Sequence, residues 1–161
     1  MTHLSKQCIF VIMSNNILEK RIQFRLSYAK VSEWAEEHGY QVVEGPDEED
    51  ACWSDVKQIT IYSGQGVENR LYSLLHECGH ALIRSNAKNF EHSYPAHATA
   101  ELDGRKRRSD KYKVSLIEEE VEAWKRGYRL AKRLGVFIDE NNFNKLKTKC
   151  LISYFNWAVE P

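Results

Sequence analysis

The chain has no excess of charge of either sign and no closely paired cysteines. Its 23 Lys and Arg residues balance 23 Asp and Glu residues, so no overall field favours nucleic acid or a membrane surface. Four cysteines are widely separated and form no C-x-x-C pair: Cys8, Cys52, Cys78 and Cys150. This spacing argues against a zinc knuckle, gives little support to a disulfide scaffold, and favours a cytoplasmic location.

Long apolar runs are also missing. The run Cys8–Met13 is too short to span a bilayer, and no convincing cleavage site follows it. We therefore predict neither a signal peptide nor a membrane partner. A short polar stretch and then a helical pattern follow Met13. We therefore expect Met13 to be the natural first residue and residues 1–12 to be a non-native or disordered extension.

The 161 residues are enough for one domain with its own core, and no repeat or linker divides them. Apolar periodicity predicts three helices besides the one discussed below, and two strands. The helices cover residues 17–38, 111–134 and 142–157, and the strands cover residues 40–44 and 58–62. We therefore predict a single α+β domain over residues 1–161.

The stretch 85–110 is rich in polar residues and is predicted to be a long loop, either a lid or poorly ordered. It contains the basic run Gly104-Arg105-Lys106-Arg107-Arg108. A solvated loop is the simpler interpretation of this run. The alternative is a contact for nucleic acid or for an acidic protein segment.

His76-Glu77-Cys78-Gly79-His80 is the most informative motif. On a helix, residues four apart lie one turn apart on the same face, so both imidazoles can reach one Zn²⁺ ion. Glu77 lies beside that face, where its carboxylate can act as a general base toward water. The flanking residues are apolar, which predicts a buried helix in which Cys78 and Gly79 are small packing residues.

A catalytic zinc ion usually has three protein ligands. An H-x-x-G-x-x-H continuation of the motif is excluded because Ile83 and Asn86 occupy the Gly and His positions. The remaining candidates lie further along the chain: His92, His97, Glu101, Asp103, Glu118, Glu119, Glu120 and Glu122.

Helical phase separates the glutamates at positions 118, 119, 120 and 122. At about 100° per residue, Glu120 lies near the middle of an apolar face and Glu119 lies on its flank, whereas Glu118 and Glu122 point away. A carboxylate within an apolar face needs a counter-charge, which a metal ion would supply. Glu120 is therefore the predicted third ligand, and Glu119 remains the alternative.

Two motifs carry a resemblance to a known family. The sequence Leu74-Leu75-His76-Glu77-Cys78-Gly79-His80-Ala81-Leu82 follows a predicted strand, and Glu120-Val121-Glu122-Ala123 lies on a later helix. This order resembles the gluzincin metallopeptidases over roughly residues 56–131, particularly the minimal ImmA/IrrE-type domains of bacteria. The pattern departs from them in two respects: Trp124 stands where Asn or Asp is common, and the stretch between the motifs is longer.

The resemblance implies a zincin-like fold, in which a small twisted sheet packs against the active-site helix. It also implies a zinc-dependent endopeptidase that acts on a cytoplasmic protein, with His76, His80 and Glu120 as ligands and Glu77 as base. A sheet-edge strand before the motif could pair with an extended peptide substrate. Candidates for stabilising the oxyanion are Tyr94, His97, Tyr112 and Tyr128.

Two other functions stay open at this level. One is a non-catalytic binding or regulatory module on the same fold, with Tyr154 and Trp157 on a partner surface. The other is a DNA-associated protease resembling the SprT-like class, for which only the basic run Arg105–Arg108 argues. The sequence predicts no oligomeric state and no cleavage site.

Overall fold

A computed structural model describes the backbone of residues 3–160 and the side chains of residues 17–160. Within this part the chain is an α+β domain of six α-helices, one 3₁₀ helix and a three-stranded sheet. The elements are α1 His3–Glu37, β1 Gln41–Gly45, β2 Ala51–Trp53, β3 Gln58–Tyr62, α2 Val67–Arg84, α3 Ala87–Ser93, α4 Pro95–Leu102, the 3₁₀ helix Gly104–Arg108, α5 Asp110–Leu134 and α6 Glu140–Val159.

Helix α1 begins inside the predicted extension 1–12. Residues 1 and 2, and the side chains up to residue 16, lie outside the described part, so a natural start at Met13 stays a prediction. No helix in the described part has both the length and the apolar character that a membrane crossing requires.

The sheet has the strand order β1-β3-β2, with β1 parallel and β2 antiparallel to β3. Strand β3 has the predicted bounds, but the expectation that it forms an edge is wrong. The edge strand is β2, in which Cys52 pairs with Ile59 of β3. Its three residues are too few to produce a recognisable alternation.

Helix α2 lies between the sheet, α1 and α5, and it is buried on nearly every side. Leu71, Leu74, Leu75 and Cys78 have no exposed surface. The prediction of a buried motif helix is therefore confirmed.

Helices α2 and α5 approach each other at two glycines. A Cβ atom at Gly79 would collide with the carbonyl group of Ala123, and one at Gly127 would collide with the carbonyl group of Leu75. Backbone therefore contacts backbone at both places, because glycine has no side chain to separate the helices. This contact brings the glutamates of α5 against the histidines of α2.

The predicted long loop over residues 85–110 is wrong, because the chain forms α3, α4 and the 3₁₀ helix there. Asn86 caps α3 by accepting from the backbone N–H of Asn89, and Pro95 occupies the first turn of α4. Asp103 caps the 3₁₀ helix in the same way. These elements are short and bury few residues, so their apolar periodicity is weak in the sequence.

We predict that Gly127→Ala destabilises the domain by about 1–3 kcal/mol, because the added methyl group must separate two packed helices. Urea denaturation measures the free energy of unfolding. Gly104→Ala is the control, since a Cβ atom there meets nothing within 4 Å. Equal stability of the two variants would contradict the proposed role of the helix contact.

Candidate metal centre

The imidazoles of His76 and His80 and the carboxylate of Glu120 face one point. His76 Nε2 lies 3.2 Å from Glu120 Oε2, and His80 Nε2 lies 3.4 Å from Glu120 Oε1. One candidate ligand atom from each residue lies within 4.8 Å of the other two. The predicted trio is therefore brought together, with two ligands from α2 and one from α5.

The protonation and bonding of Glu120 suit a metal ligand. Burial would raise the pKa of its carboxyl group, but the nearby imidazoles of His76 and His80 outweigh this effect and lower the pKa to about 2. Its Oε2 atom is buried without a hydrogen-bond partner. Two imidazoles and one carboxylate form a donor set that Zn²⁺ commonly takes, so the residues present fit this ion.

Glu77 lies beside the trio and is only 4% exposed. Its Oε1 atom lies 3.8 Å from His76 Nε2. Burial raises the pKa of the Glu77 carboxyl group, although His76 and His80 oppose the shift. A carboxylate whose proton affinity is raised in this way is suited to accept a proton from water.

Glu119 is the glutamate whose position was predicted least well. It is not on the flank of a buried face but is itself fully buried, with 0% exposure. Its Oε1 atom lies 3.0 Å from His80 Nδ1, on the side of the ring away from Glu120. The geometry therefore places Glu120, and not Glu119, among the three candidate ligands.

The remaining predicted ligand candidates lie elsewhere. His97 is buried against Glu119, Glu101 forms an ion pair with Arg84, and Asp103 caps the 3₁₀ helix. His92 and Glu118 are exposed, and Glu122 accepts a hydrogen bond from Arg126.

The trio lies in a cleft of about 570 Å³. Strand β2 forms one wall, α2 and α5 contribute the histidines and glutamates, and α4, the 3₁₀ helix and α6 complete the lining. Arg107 of the basic run lies on this lining, and its neighbours in the run are exposed. Charged side chains of both signs line the cleft, with Asp50 and Asp55 next to β2, Arg84 on α2 and Arg107 on the 3₁₀ helix.

Tyr154 of α6 also lines the cleft, whereas the sequence suggested core packing, or a partner surface for a non-catalytic module. Burial and the neighbouring Glu120 carboxylate raise the pKa of its phenol, so Tyr154 stays protonated and can donate. Of the four side chains predicted for oxyanion stabilisation, only His97 lines the cleft, while Tyr94, Tyr112 and Tyr128 do not. The spacing Phe143, Cys150, Tyr154 on one face of α6 was the available signal.

Trp124 packs against His76, the first histidine of the motif. Its ring stacks on His76 with a centroid distance of 4.4 Å and an interplanar angle of 20°. His76 Nδ1 is buried without a hydrogen-bond partner. Stacking, and not a hydrogen bond, therefore fixes the plane of the His76 ring.

Comparison with models of known families, with curated proteins and with solved structures finds no match to this chain. The resemblance to gluzincin peptidases therefore stays a prediction that rests on the motifs.

We predict that Glu120→Ala loses stoichiometric zinc, because two imidazoles alone are left to hold the ion. Metal content after zinc loading and desalting is the measurement, with wild-type protein as reference. Glu122→Ala is the matched control on the same helix, and we expect it to retain the wild-type zinc content. Full zinc content in Glu120→Ala would exclude Glu120 as a ligand.

Proposed function

We propose that this protein is a zinc-dependent endopeptidase with a zincin-like fold. The observation that carries this proposal is the convergence of His76, His80 and Glu120 beside a buried carboxylate, Glu77, in one cleft. An H-E-x-x-H pair with a glutamate from a second helix supports zinc-assisted hydrolysis more directly than any other chemistry.

His76, His80 and Glu120 would hold the ion. When bound, Zn²⁺ supplies Lewis acidity that polarises the scissile carbonyl and makes water a better nucleophile at neutral pH. Glu77 accepts the proton of the attacking water and passes it to the leaving amine, since it lies beside the trio without belonging to it. The Tyr154 hydroxyl, on the cleft wall near Glu120, donates a hydrogen bond to the developing oxyanion.

An extended polypeptide suits the cleft as substrate. Strand β2 lines the cleft and is paired only on its β3 side within the described part of the chain. Its outer backbone groups can pair with an extended peptide through main-chain hydrogen bonds, which do not depend on the peptide sequence. This edge supports hydrolysis of a protein substrate in preference to a small molecule.

A non-catalytic module is the second candidate, and one observation favours it. The Glu120 carboxylate contacts the imidazoles of His76 and His80 directly, so the buried charges are partly balanced without an ion. Stoichiometric zinc with no turnover of any cellular protein would support this candidate over the peptidase.

We predict that Glu77→Gln retains zinc but lowers the hydrolysis rate by about 10²–10⁴-fold, because the ligands survive while the base is lost. Proteomic comparison of cells that express wild type or Glu77→Gln identifies proteins shortened only by wild type. The rate is then measured on the purified substrate. Glu118→Gln, an exposed substitution on α5, is the control. Wild-type turnover by Glu77→Gln would overturn the mechanism.

We predict that Tyr154→Phe lowers kcat by about 10²–10³-fold with little change in zinc content, because only the oxyanion donor is removed. Tyr128→Phe is the matched control, since the Tyr128 hydroxyl donates to Glu140 and does not line the cleft. Single-turnover kinetics on the identified substrate measures both variants. Equal kcat values for the two would remove Tyr154 from the mechanism.

A further inference from the structure

We infer that Glu119 is a positioning residue, which holds His80 with its Nε2 atom toward the metal and is itself held by Arg84 and by His97 of α4. This inference rests on the metal centre proposed above. It gives a role to a carboxylate that has 0% exposure and lies outside the ligand trio.

The contact between Glu119 and His80 fixes which ring nitrogen carries the proton. An ionised carboxylate can only accept, so His80 Nδ1, at 3.0 Å from Oε1, must donate. In a neutral imidazole the lone pair is then on Nε2, which faces Glu120. A carboxylate behind the ring also makes Nε2 a stronger donor to a metal ion.

Arg84 supplies the opposite charge beside Glu119. Arg84 Nε lies 3.0 Å from Glu119 Oε1 and Nη2 lies 3.3 Å from Oε2, so the guanidinium donates to both carboxylate oxygens. The third guanidinium nitrogen, Nη1, donates to Glu101, which also lines the cleft.

His97 completes the surroundings of Glu119 from α4. Arg84 Nη2 donates to His97 Nε2 at 3.5 Å, so a neutral His97 carries its proton on Nδ1. That nitrogen faces Glu119 Oε2. The segment between the two motifs therefore contributes a side chain that lies directly against Glu119.

His76 has no hydrogen-bonded carboxylate like the one that contacts His80, so the expected role of Glu119 concerns His80 alone. The Nδ1 atom of His76 lacks a hydrogen-bond partner, and its ring is held by stacking on Trp124. A substitution at Glu119 should consequently disturb one ligand, His80, and leave the orientation of His76 unchanged.

The test compares Glu119→Gln with Glu118→Gln, an exposed glutamate one position earlier. Zinc affinity is measured by competition with a chromogenic chelator, and ligand geometry by the visible absorption of the Co²⁺-loaded protein. We expect zinc binding by Glu119→Gln to be about 10–100-fold weaker, with a changed Co²⁺ spectrum. We expect Glu118→Gln to match wild type in both.

A purely structural Glu119 would give a different result. The melting temperature of the metal-free variant would fall, while zinc affinity and the Co²⁺ spectrum of the folded protein would match wild type; that result overturns the inference. Absence of zinc binding by wild type would overturn the proposed centre as well, so the two failures are distinguishable.

If Glu119→Gln does not fold, Glu119→Asp is the second variant, since it keeps the charge for Arg84 but withdraws the carboxylate from His80. The same loss of affinity is expected, and wild-type affinity would overturn the inference. Nuclear magnetic resonance of zinc-loaded wild type requires no variant. We expect a slowly exchanging, downfield His80 Nδ1–H proton, and rapid exchange would contradict its hydrogen bond to Glu119.

Discussion

The contact between α2 and α5 at Gly79 and Gly127 sets the distance between the two helices that carry the candidate metal centre. A side chain at either glycine would meet the backbone of the facing helix. Because the two backbones touch, the glutamate side chains of α5 can reach the histidine side chains of α2. A larger separation would leave Glu120 too far from His76 and His80 to share one ion with them.

The same contact places carboxylates in the core, where an isolated charge is costly. Glu119 offsets this cost through Arg84 and two imidazoles, and Glu120 through the two motif histidines. Glu77 has the weaker compensation, which is why burial dominates the pKa of its carboxyl group and raises it. Among these three glutamates only Glu77 has a raised pKa, and this least compensated carboxylate is the group suited to proton transfer.

The sequence predicted those parts of this arrangement that depend on local period. Helical phase identified Glu120, and alternation gave the bounds of β3. Helical phase did not predict the burial of Glu119. That burial depends on Arg84 and His97, which are distant in sequence and have no periodic relation to Glu119.

Other misses have the same physical origin. Strand β2 exists because it pairs with β3, and three residues contain too little alternation to reveal it. The helices α3 and α4 depend on caps and on a few buried side chains. Their composition is mostly polar, so apolar periodicity does not predict them. The sequence did not predict that Tyr154 lines the cleft, because its position depends on how α6 packs against the rest of the domain.

The two departures from the gluzincin pattern have a common structural explanation. Trp124 cannot accept a hydrogen bond from a histidine, and it contributes a stacking surface to His76 instead. His80, the other histidine of the motif, is instead hydrogen-bonded to Glu119. That carboxylate needs partners of its own, and one of them, His97, comes from the longer stretch between the motifs. The tryptophan and the added helices are therefore parts of one arrangement, in which stacking orients His76 and a buried charge network orients His80.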